Sequence, residues 1–504
     1  MARSQLILPD QFTWPPPGGG ARDTVHVLIE SLPDWRRLPF HRQRVIFQLS
    51  AMRHYAAELR AAGLRVDYHA ACEDPVAALR GHLAAWQPEA IEVMESAEHG
   101  VDALWASRIE EAGAGCRLQP NTMFLSDKAS FQQEHRNRKS ALMERFYRGM
   151  RQRTGLLMEL DGPVGGQWNY DEDNREPVRP GQRFPEAPRF APDAETRAVM
   201  ALVAERFPKA FGRAEPFEWA VTRRDAEHAL EDFLEHRLDG FGPYQDAMTP
   251  EHETLHHSLL SPYINVGLLD PLEVCRRAEA RYRAGTARLN SVEGFIRQIL
   301  GWREYVYQVY HWQMPGYHAN NHLEAEHALP ACYWNADTEM RCIAEAVRPV
   351  IARGINHHIQ RLMLTGNLAL LAGVNPVAVN DWYWLGYMDS WDWVVTPNVI
   401  GMALYADGGR MASKPYAASA NYINRMGHYC QGCRYNPKKS TGPDACPFNA
   451  LYWDFLARNE KRLRGNMRLA MPYRNLDRKR DTDLPELRKH AAGVIEALCG
   501  GGKV

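Results

Sequence analysis

Short apolar segments alternate with longer amphipathic stretches from the start of the chain to about residue 120. Between the apolar segments lie helical patterns such as Arg42–Ala62, which Gly63 ends. This alternation predicts a doubly wound, Rossmann-like α/β domain with a mostly parallel sheet. No G-x-G-x-x-G follows the first apolar segment, so a standard dinucleotide site is not indicated. The predicted buried strands are Gln5–Leu8, Val25–Ile29, Leu64–Tyr68, Ala90–Met94 and Cys116–Leu118.

The pattern changes in the rest of the chain. Phe131–Leu160 is basic and has helical spacing, and a polar, proline-rich connector follows over Gly162–Pro192. Beyond it, strand signals fade, and long amphipathic patterns such as Val292–Tyr310 and Ala344–Leu371 predict an all-helical domain. We therefore expect an α/β domain over 1–130, an interdomain helix and linker over 131–194, and an all-α domain over 195–504.

Charge is balanced, with 60 Lys+Arg against 61 Asp+Glu, so a nucleic-acid partner would have to meet local clusters of basic residues. The first apolar run is too short for a signal sequence, and no stretch approaches the roughly 18 apolar residues of a membrane helix. We expect a cytoplasmic monomer without a membrane partner. Candidate phosphate contacts are Arg136, Arg138, Lys139, Lys414, Arg425, Lys438 and Lys439.

Three cysteines near the C-terminus have metal-ligand spacing, in Cys430-x-x-Cys433 and Cys446-Pro447. Two thiolates in C-x-x-C reach one metal or cluster, and a trailing Cys-Pro is typical of iron–sulfur ligation. Zinc fits the same ligands, and spacing alone does not separate the two metals. Candidates for a fourth ligand are Cys342, Cys332, Cys499 and His428.

A second metal pattern is His252-Glu253-Thr254-Leu255-His256, which matches the H-E-x-x-H of zinc hydrolases. That chemistry needs both histidines on one face of a long helix. Pro250 precedes the segment and Ser261-Pro262 follows it closely, so the context is poor. A zinc hydrolase is the least favoured of the functions considered.

Several segments of the helical half resemble the cryptochrome/photolyase family. They are Ser258–Asn265 (S-L-L-S-P-Y-I-N), Phe295–Tyr305 with its W-R-E, His357–Arg361 (H-H-I-Q-R), Asp389–Trp393 and Asn398. One branch is closer still. Gly165–Asn174 (G-G-Q-W-N-Y-D-E-D-N), Lys414–Arg425 and the cysteine set resemble the bacterial iron–sulfur cryptochromes and photolyases.

The resemblance implies an N-terminal α/β antenna domain and a C-terminal all-α FAD-binding domain. It implies a [4Fe-4S] cluster on Cys342, Cys430, Cys433 and Cys446. The implied FAD-binding residues are Ser258, Leu260, Ser261, Gln298, Arg303, Arg361, Asp389, Asp392 and Asn398.

The implied activity is light-driven repair of pyrimidine(6-4)pyrimidone photoproducts in UV-damaged DNA. His358 matches the catalytic position, where a histidine suits the proton transfer that accompanies oxygen migration. Animal enzymes carry a second histidine one turn later, where this chain has Leu362. Tyr416, Tyr422 and Met402 match the lesion pocket, and Trp382, Tyr383 and Trp334 match an electron route to the flavin.

An antenna chromophore is also implied, 6,7-dimethyl-8-ribityllumazine, with Asp10, Gln11 and Asp34 as its candidate contacts. Here Pro9 replaces the glycine of the family's G-D-Q turn and removes a backbone donor. The main alternative function is a cryptochrome-type blue-light photoreceptor that uses the same cofactors without repair. Retention of His358, Tyr416 and Tyr422 favours repair.

Overall fold

The N-terminal part of the protein is a five-stranded sheet in the computed structural model, which describes residues 3–179 and 181–504. All four pairings are parallel, and the strand order is β3-β2-β1-β4-β5. The order reverses between β1 and β4, which is the topology of a doubly wound fold. The strands are β1 Arg3–Leu6, β2 Thr24–Ser31, β3 Arg65–Cys72, β4 Ala90–Met94 and β5 Gly115–Gln119.

Helices cover both faces of this sheet. They are α1 Leu32–Arg36, α2 Arg42–Ala61, α3 Pro75–Trp86 and α4 Val101–Ala112. Val27 points to the face where Leu79 of α3 and Ile109 of α4 pack. Its neighbour Leu28 joins the larger core on the other face, which also contains Val45 of α2. Alternate strand residues therefore enter two apolar layers, and the predicted α/β architecture is confirmed.

The basic segment Phe131–Leu160 was expected to be helical, and this prediction is wrong in part. Two helices cover most of the segment, α5 Lys128–His135 and α6 Met143–Thr154. The short strand β6 Met158–Glu159 follows, and it pairs with β7 Gly162–Pro163 just beyond the segment to form a small hairpin. Gly155, with φ of +72°, ends α6 in the left-handed conformation that glycine adopts readily. The Arg151 guanidinium then donates to the carbonyls of Leu156 and Leu157, which ties the turn to the helix.

The remainder is helical, as predicted, and no strand occurs among the described residues after Pro163. The helices are α7 Ala194–Arg206, α8 Arg223–His236, α9 Leu238–Phe241, α10 Ser261–Asn265, α11 Pro271–Arg283, α12 Leu289–Ile296, α13 Glu304–Gln313, α14 Cys332–Asn335, α15 Arg341–Arg353, α16 His358–Gln360, α17 Asn367–Ala372, α18 Pro376–Gly386, α19 Asp392–Thr396, α20 Ala420–Met426, α21 Pro447–Arg458, α22 Glu460–Leu463, α23 Ala470–Lys479 and α24 Leu484–Cys499.

Three π-helical segments interrupt these helices: Arg297–Arg303 between α12 and α13, Arg361–Gly366 between α16 and α17, and Pro397–Ala403 after α19. Such segments are rare and occur mostly at functional sites. The first keeps α12 and α13 continuous, so the predicted helix over Val292–Tyr310 is observed. The pattern over Ala344–Leu371 is instead split, because Gly354 (φ +66°) ends α15.

The sheet and the helical half share one hydrophobic core, which runs from α2 to α24. At their contact the rings of Trp35 and Trp391 lie 6.3 Å apart, and the buried Arg44 donates to the carbonyl of Trp384 at 2.7 Å. Among the described residues, no helix has both the length and the apolar character needed to cross a bilayer.

Candidate functional site

A cavity of about 530 Å³ lies in the centre of the helical half. All three π-helical segments line it, together with the turn before α10 and the loop before α19. Its volume is in the range usual for cofactor sites. Seven of the nine predicted FAD-binding residues line this cavity: Ser258, Ser261, Gln298, Arg303, Arg361, Asp389 and Asn398.

An ion pair joins two walls of this central cavity. Arg361 donates to both carboxylate oxygens of Asp389, at 3.0 and 3.2 Å, and its guanidinium lies 3.9 Å from the centre of the Tyr387 ring. Ser261 donates to the same carboxylate at 2.7 Å. Burial acts to raise the pKa of Asp389, but the Arg361 charge and these hydrogen bonds hold it below its usual value. The pair is thus charged and anchors α16 against the loop before α19.

The Ser258–Ser261 turn has a strained backbone. Leu259 has φ of +58°, a conformation that leucine rarely adopts, and the N–H of Leu260 donates to Oγ of Ser258 at 3.4 Å. Strain of this kind collects at ligand sites, where the surrounding structure maintains it. Here it brings two hydroxyls, of Ser258 and Ser261, to the wall of the cavity.

Arg303 is a buried cation on the cavity wall. One Nη donates to Glu304 at 2.8 Å, while Nε and the other Nη have no hydrogen-bond partner among the described residues. Unpaired buried donors are unusual in native proteins, and guanidinium donors suit phosphate. Asn398 donates its amide to the carbonyl of Val394 at 2.7 Å, which leaves its side-chain oxygen available to a ligand. This donor set fits an FAD molecule, which has both a pyrophosphate and a ring with N–H groups.

Two predicted FAD-binding residues are not among those that line the cavity. Leu260 is buried in the core. The Asp392 carboxylate accepts hydrogen bonds from Tyr310 (2.6 Å), Thr396 (2.6 Å) and Nε2 of His318 (2.7 Å). Its partners therefore come from α13, α19 and the loop after α13, and it serves to join these elements.

A second cavity of about 730 Å³ adjoins the first and shares several of its residues, among them Asp246, Leu362 and Tyr416. Tyr422 lines this outer cavity, whereas Met402 lines the central one. Burial raises the pKa of Tyr416 and raises that of Tyr422 to about 12, so both phenols are protonated at neutral pH and can donate hydrogen bonds.

His358 is the first residue of α16 and lines the central cavity with its side chain 41% exposed. Its Nε2 lies 3.5 Å from an Asp246 carboxylate oxygen. Asp246 lines both cavities, so the imidazole lies close to their junction. A half-exposed histidine beside a carboxylate, between two cavities, is placed to exchange protons with a bound molecule.

The predicted electron-route residues form a partial chain of aromatic contacts. Tyr383 lines the central cavity, and its ring lies 5.1 Å from that of the fully buried Trp382. Trp382 contacts Tyr333 at 5.0 Å, and the next residue, Trp334, is 42% exposed. The aromatic residues thus extend from the cavity towards the surface. The sequence prediction missed Tyr333, which no spacing signal distinguishes from an ordinary core residue.

Four cysteines line one small cavity: Cys342, Cys430, Cys433 and Cys446. The other candidate ligands lie elsewhere: Cys332 in α14, Cys499 beside the Ala328 carbonyl and His428 beside Glu251. Burial raises the pKa of the Cys430 thiol to about 11 and that of Cys446 to about 12. Tyr429 lines the same cavity and its hydroxyl accepts from Gln360 of α16 at 3.0 Å. The sequence did not reveal this link to the central cavity.

The three predicted antenna residues lie near the carboxyl edge of the sheet, where Asp10 and Gln11 follow β1 and Asp34 follows β2. Gln11 donates to the carbonyl of Met94 at 2.8 Å, and Asp34 forms a two-point ion pair with Arg108. Asp10 is buried, and burial, followed by the charge of Glu98, raises its pKa to about 7. Ligands of doubly wound sheets bind at this edge, but two of these side chains already have protein partners.

The H-E-x-x-H segment lies in turns and bends, so its two histidines do not share a helix face. His252 contacts the carbonyl of Gln182 through Nε2, and the rings of both histidines pack on Phe184. The zinc-hydrolase arrangement is therefore not formed.

Comparison with solved structures identifies the fold. A bacterial class III photolyase from Agrobacterium tumefaciens matches with a TM-score of 0.55 over 99% of this chain and 88% of that chain, at 13% identity. A cryptochrome from Synechocystis sp. PCC6803 matches with a TM-score of 0.59 over 84% and 86%, at 12% identity. The fold is therefore that of photolyases and cryptochromes.

Sequence comparison narrows this to a family. Residues 5–219 match the model of the deoxyribodipyrimidine photo-lyase-related proteins. A (6-4) photolyase from Agrobacterium fabrum (strain C58) is 46% identical over 509 residues, which cover 99% of this chain and 100% of that protein. This chain belongs to the photolyase-related family, and the resemblance found in its motifs is confirmed.

Proposed function

We propose that this protein is a light-dependent DNA photolyase that repairs pyrimidine(6-4)pyrimidone photoproducts. Its full-length similarity to the (6-4) photolyase of Agrobacterium fabrum carries the proposal. Two adjoining cavities support it, since one suits a flavin cofactor and the other is wide and lined by tyrosines. UV-damaged DNA is the partner, and its lesion would be flipped out of the duplex into the outer cavity.

Membership in the family implies FAD as the cofactor. The free donors of Arg303 and the hydroxyls of Ser258 and Ser261 would hold its phosphates. Asn398 and Asp389 would face the flavin ring. Bound in its reduced form, FAD supplies the electron for repair when it absorbs blue light, and the protein binds and orients it.

His358 would move the proton that accompanies oxygen migration within the lesion. An imidazole can accept and return a proton near neutral pH, and an Asp246 carboxylate oxygen lies 3.5 Å from Nε2 of His358. Tyr416 and Tyr422, both protonated, would donate hydrogen bonds to the lesion. Leu362 lies in the same cavity and cannot exchange protons, so His358 acts without a second histidine one turn later.

We infer that the four-cysteine cavity holds a [4Fe-4S] cluster. The four thiols that line it belong to Cys342, Cys430, Cys433 and Cys446, and the Cys446-Pro447 step is typical of iron–sulfur ligation.

We propose two further binding sites, one for an antenna chromophore and one for the DNA backbone. A 6,7-dimethyl-8-ribityllumazine antenna would bind near Asp10, at the carboxyl edge of the sheet. Lys414 and Arg425 line the outer cavity and would contact DNA phosphates, whereas Lys439 is already paired with Asp444 at 2.6 Å. Arg136, Arg138 and Lys139 are exposed before α6, where they could extend this contact.

Repair assays on oligonucleotides with a single (6-4) photoproduct, under blue light, test the proposal. The wild type should restore the intact pyrimidines. The repair rate of His358→Ala should be lower by about 10²–10⁴-fold, while the variant retains FAD. His358→Asn should fail as well, since an amide cannot exchange protons. His428→Ala, a histidine away from the cavity, is the matched control. A wild type that binds FAD but repairs no lesion would favour the photoreceptor function.

A further inference from the structure

Three histidines meet at the wall of the central cavity. One ring nitrogen from each of His257, His357 and His358 lies within 4.8 Å of the other two. His257 precedes the strained Ser258–Ser261 turn, whereas His357 and His358 lie at the start of α16. The fold therefore brings together ligand atoms from two segments that are distant in the sequence.

Two of these rings are buried and lack partners. His257 is 9% exposed and His357 is 8% exposed, and the rings stack at 4.6 Å with an angle of 5° between their planes. Nε2 of His257 and both ring nitrogens of His357 have no hydrogen-bond partner among the described residues. Buried polar atoms are nearly always satisfied, so three unsatisfied nitrogens on a cavity wall point to a ligand.

The three side chains belong to a class that binds late transition metals. Imidazole nitrogens are common ligands of Zn²⁺ and of the neighbouring first-row dications.

The geometry needs a modest adjustment. With Zn–N bonds of 2.0–2.1 Å, tetrahedral ligand nitrogens lie about 3.3 Å apart. The nitrogens lie at most 4.8 Å apart, so the separations would have to shorten by no more than about 1.5 Å, through tilting of the stacked rings and rotation of the half-exposed His358. Asp246, 3.5 Å from Nε2 of His358, can act as the outer carboxylate that metal-bound histidines commonly have.

The surrounding charges allow a cation. Arg361 is neutralised by Asp389 at 3.0 Å, and Arg237, which donates to the carbonyl of His257, is neutralised by Asp232 at 2.8 Å. The Asp246 carboxylate, 3.5 Å from Nε2 of His358, adds a negative charge beside the three rings. An all-nitrogen site disfavours Mg²⁺ and Ca²⁺, which prefer oxygen ligands.

We propose that His257, His357 and His358 form a binding site for a late first-row dication of the Zn²⁺ class. We propose further that an occupied site inhibits repair, because the metal takes the nitrogen with which His358 would exchange a proton. This second statement rests on the proposed repair function, and the binding statement does not.

Isothermal titration of the FAD- and cluster-containing protein with ZnCl₂, in excess Mg²⁺ to fill oxygen-ligand sites, tests the binding statement. His257→Gln and His358→Ala should each weaken one zinc site by about 100-fold or more. The double variant His252→Ala/His256→Ala, which removes the neighbouring H-E-x-x-H histidines, should keep that site. Equal zinc binding in wild type and His358→Ala, or loss of the site only in the double variant, would overturn the proposal.

His257 is buried, so the fold of His257→Gln is checked by flavin absorbance and near-ultraviolet circular dichroism. If that variant is unfolded, the half-exposed His358→Ala decides the question. In the second arm, each protein's repair rate with Zn²⁺ is divided by its own rate without it. This ratio should fall for the wild type and recover with a chelator, but stay near one for His257→Gln. Zinc that binds the triad without lowering the wild-type ratio refutes inhibition. A wild type without any repair refutes the repair function and leaves the binding result intact.

Discussion

At the scale of single residues, Arg361 joins several parts of the candidate site. Besides its ion pair with Asp389, it donates through Nε to the carbonyl of Asn356 at 3.1 Å and lies on the ring of Tyr387. These contacts fix the start of α16, which is where His358 lies. The ion pair thereby holds the helix that carries His358, the proposed catalytic residue.

We predict that Asp389→Asn destabilises the protein by about 3 kcal/mol at pH 7, because it leaves the Arg361 charge unpaired. The pKa of Asp389 is depressed in the folded state. The pair's contribution is therefore present above the unfolded pKa of about 3.9 and is lost as pH falls through the folded pKa. The variant should lose less stability on acidification below about pH 4 than the wild type does.

Urea unfolding at several pH values measures the free energy of unfolding of Asp389→Asn and of the wild type. Asp337→Asn is the control, since its partner Lys503 is exposed and such pairs contribute at most about 1 kcal/mol. If the two variants are equally stable, the Arg361–Asp389 pair does not have the assigned role.

A second prediction concerns electron supply. Trp382→Phe should remove most of the rate at which oxidised flavin is photoreduced, while FAD remains bound, because Trp382 lies behind Tyr383 in the aromatic chain. Flavin absorbance under blue light with an external reductant follows the rate. Trp453→Phe, which changes a tryptophan of α21 that does not line the cavity, should behave as the wild type. Unchanged photoreduction in Trp382→Phe would rule out this route.

At the scale of elements, the cavity exists because helices are interrupted. Each π-helical segment presents a predicted FAD-binding residue to it: Gln298 and Arg303 on the first, Arg361 on the second and Asn398 on the third. The end of α15 at Gly354 also exposes residues to the cavity. It lets Ile355, Asn356 and His357 line the cavity before α16 begins.

We predict that Gly354→Ala lowers the free energy of unfolding by about 2–4 kcal/mol. A left-handed backbone costs alanine about 1–2 kcal/mol, and crowding adds about as much again. An added Cβ would lie 3.1 Å from both the Gly386 carbonyl oxygen and the Met388 side chain. Gly285→Ala has a similar φ of +74° and open space around the Cβ, so it should show the backbone cost alone. Equal losses in the two variants would mean that crowding at Gly354 is absent.

At the scale of the whole molecule, the central cavity, the four-cysteine cavity and the sheet are joined by one core. The four-cysteine cavity is linked to α16 through the Tyr429–Gln360 hydrogen bond, and the sheet edge is linked to Asp392, whose backbone N–H donates to Glu98 at 2.7 Å. A change at the four cysteines would therefore also disturb α16 and the central cavity. The division into parts at residues 130 and 194 stays a prediction.

We predict about four irons per chain in the purified protein, and loss of iron together with soluble yield in Cys433→Ala, because metal binding is coupled to folding. Cys332→Ala, which alters a buried cysteine outside the cluster cavity, should retain its iron. Metal analysis of both variants gives the result. Stoichiometric zinc without iron in the wild type would refute the cluster.

The sequence by itself determined the features that arise from short-range patterns. Alternating strand and helix signals place all five strands within a few residues, because hydrophobic periodicity and helix-ending glycines such as Gly63 act locally. The resemblance of short motifs to the cryptochrome/photolyase family pointed to Ser258, Arg361 and His358, which all line the cavity.

Only the tertiary structure decided which distant groups meet. Cysteine spacing left the fourth ligand open and the family resemblance implied Cys342, which the structure places beside the other three cysteines. The structure also directs Asp392 to Tyr310 and His318 rather than to the central cavity. It also brings His257 onto His357. None of these contacts has a local signal, because each results from the packing of whole helices against one another. Such packing depends on the free energy of the entire core, so it cannot be read from the sequence of any single segment.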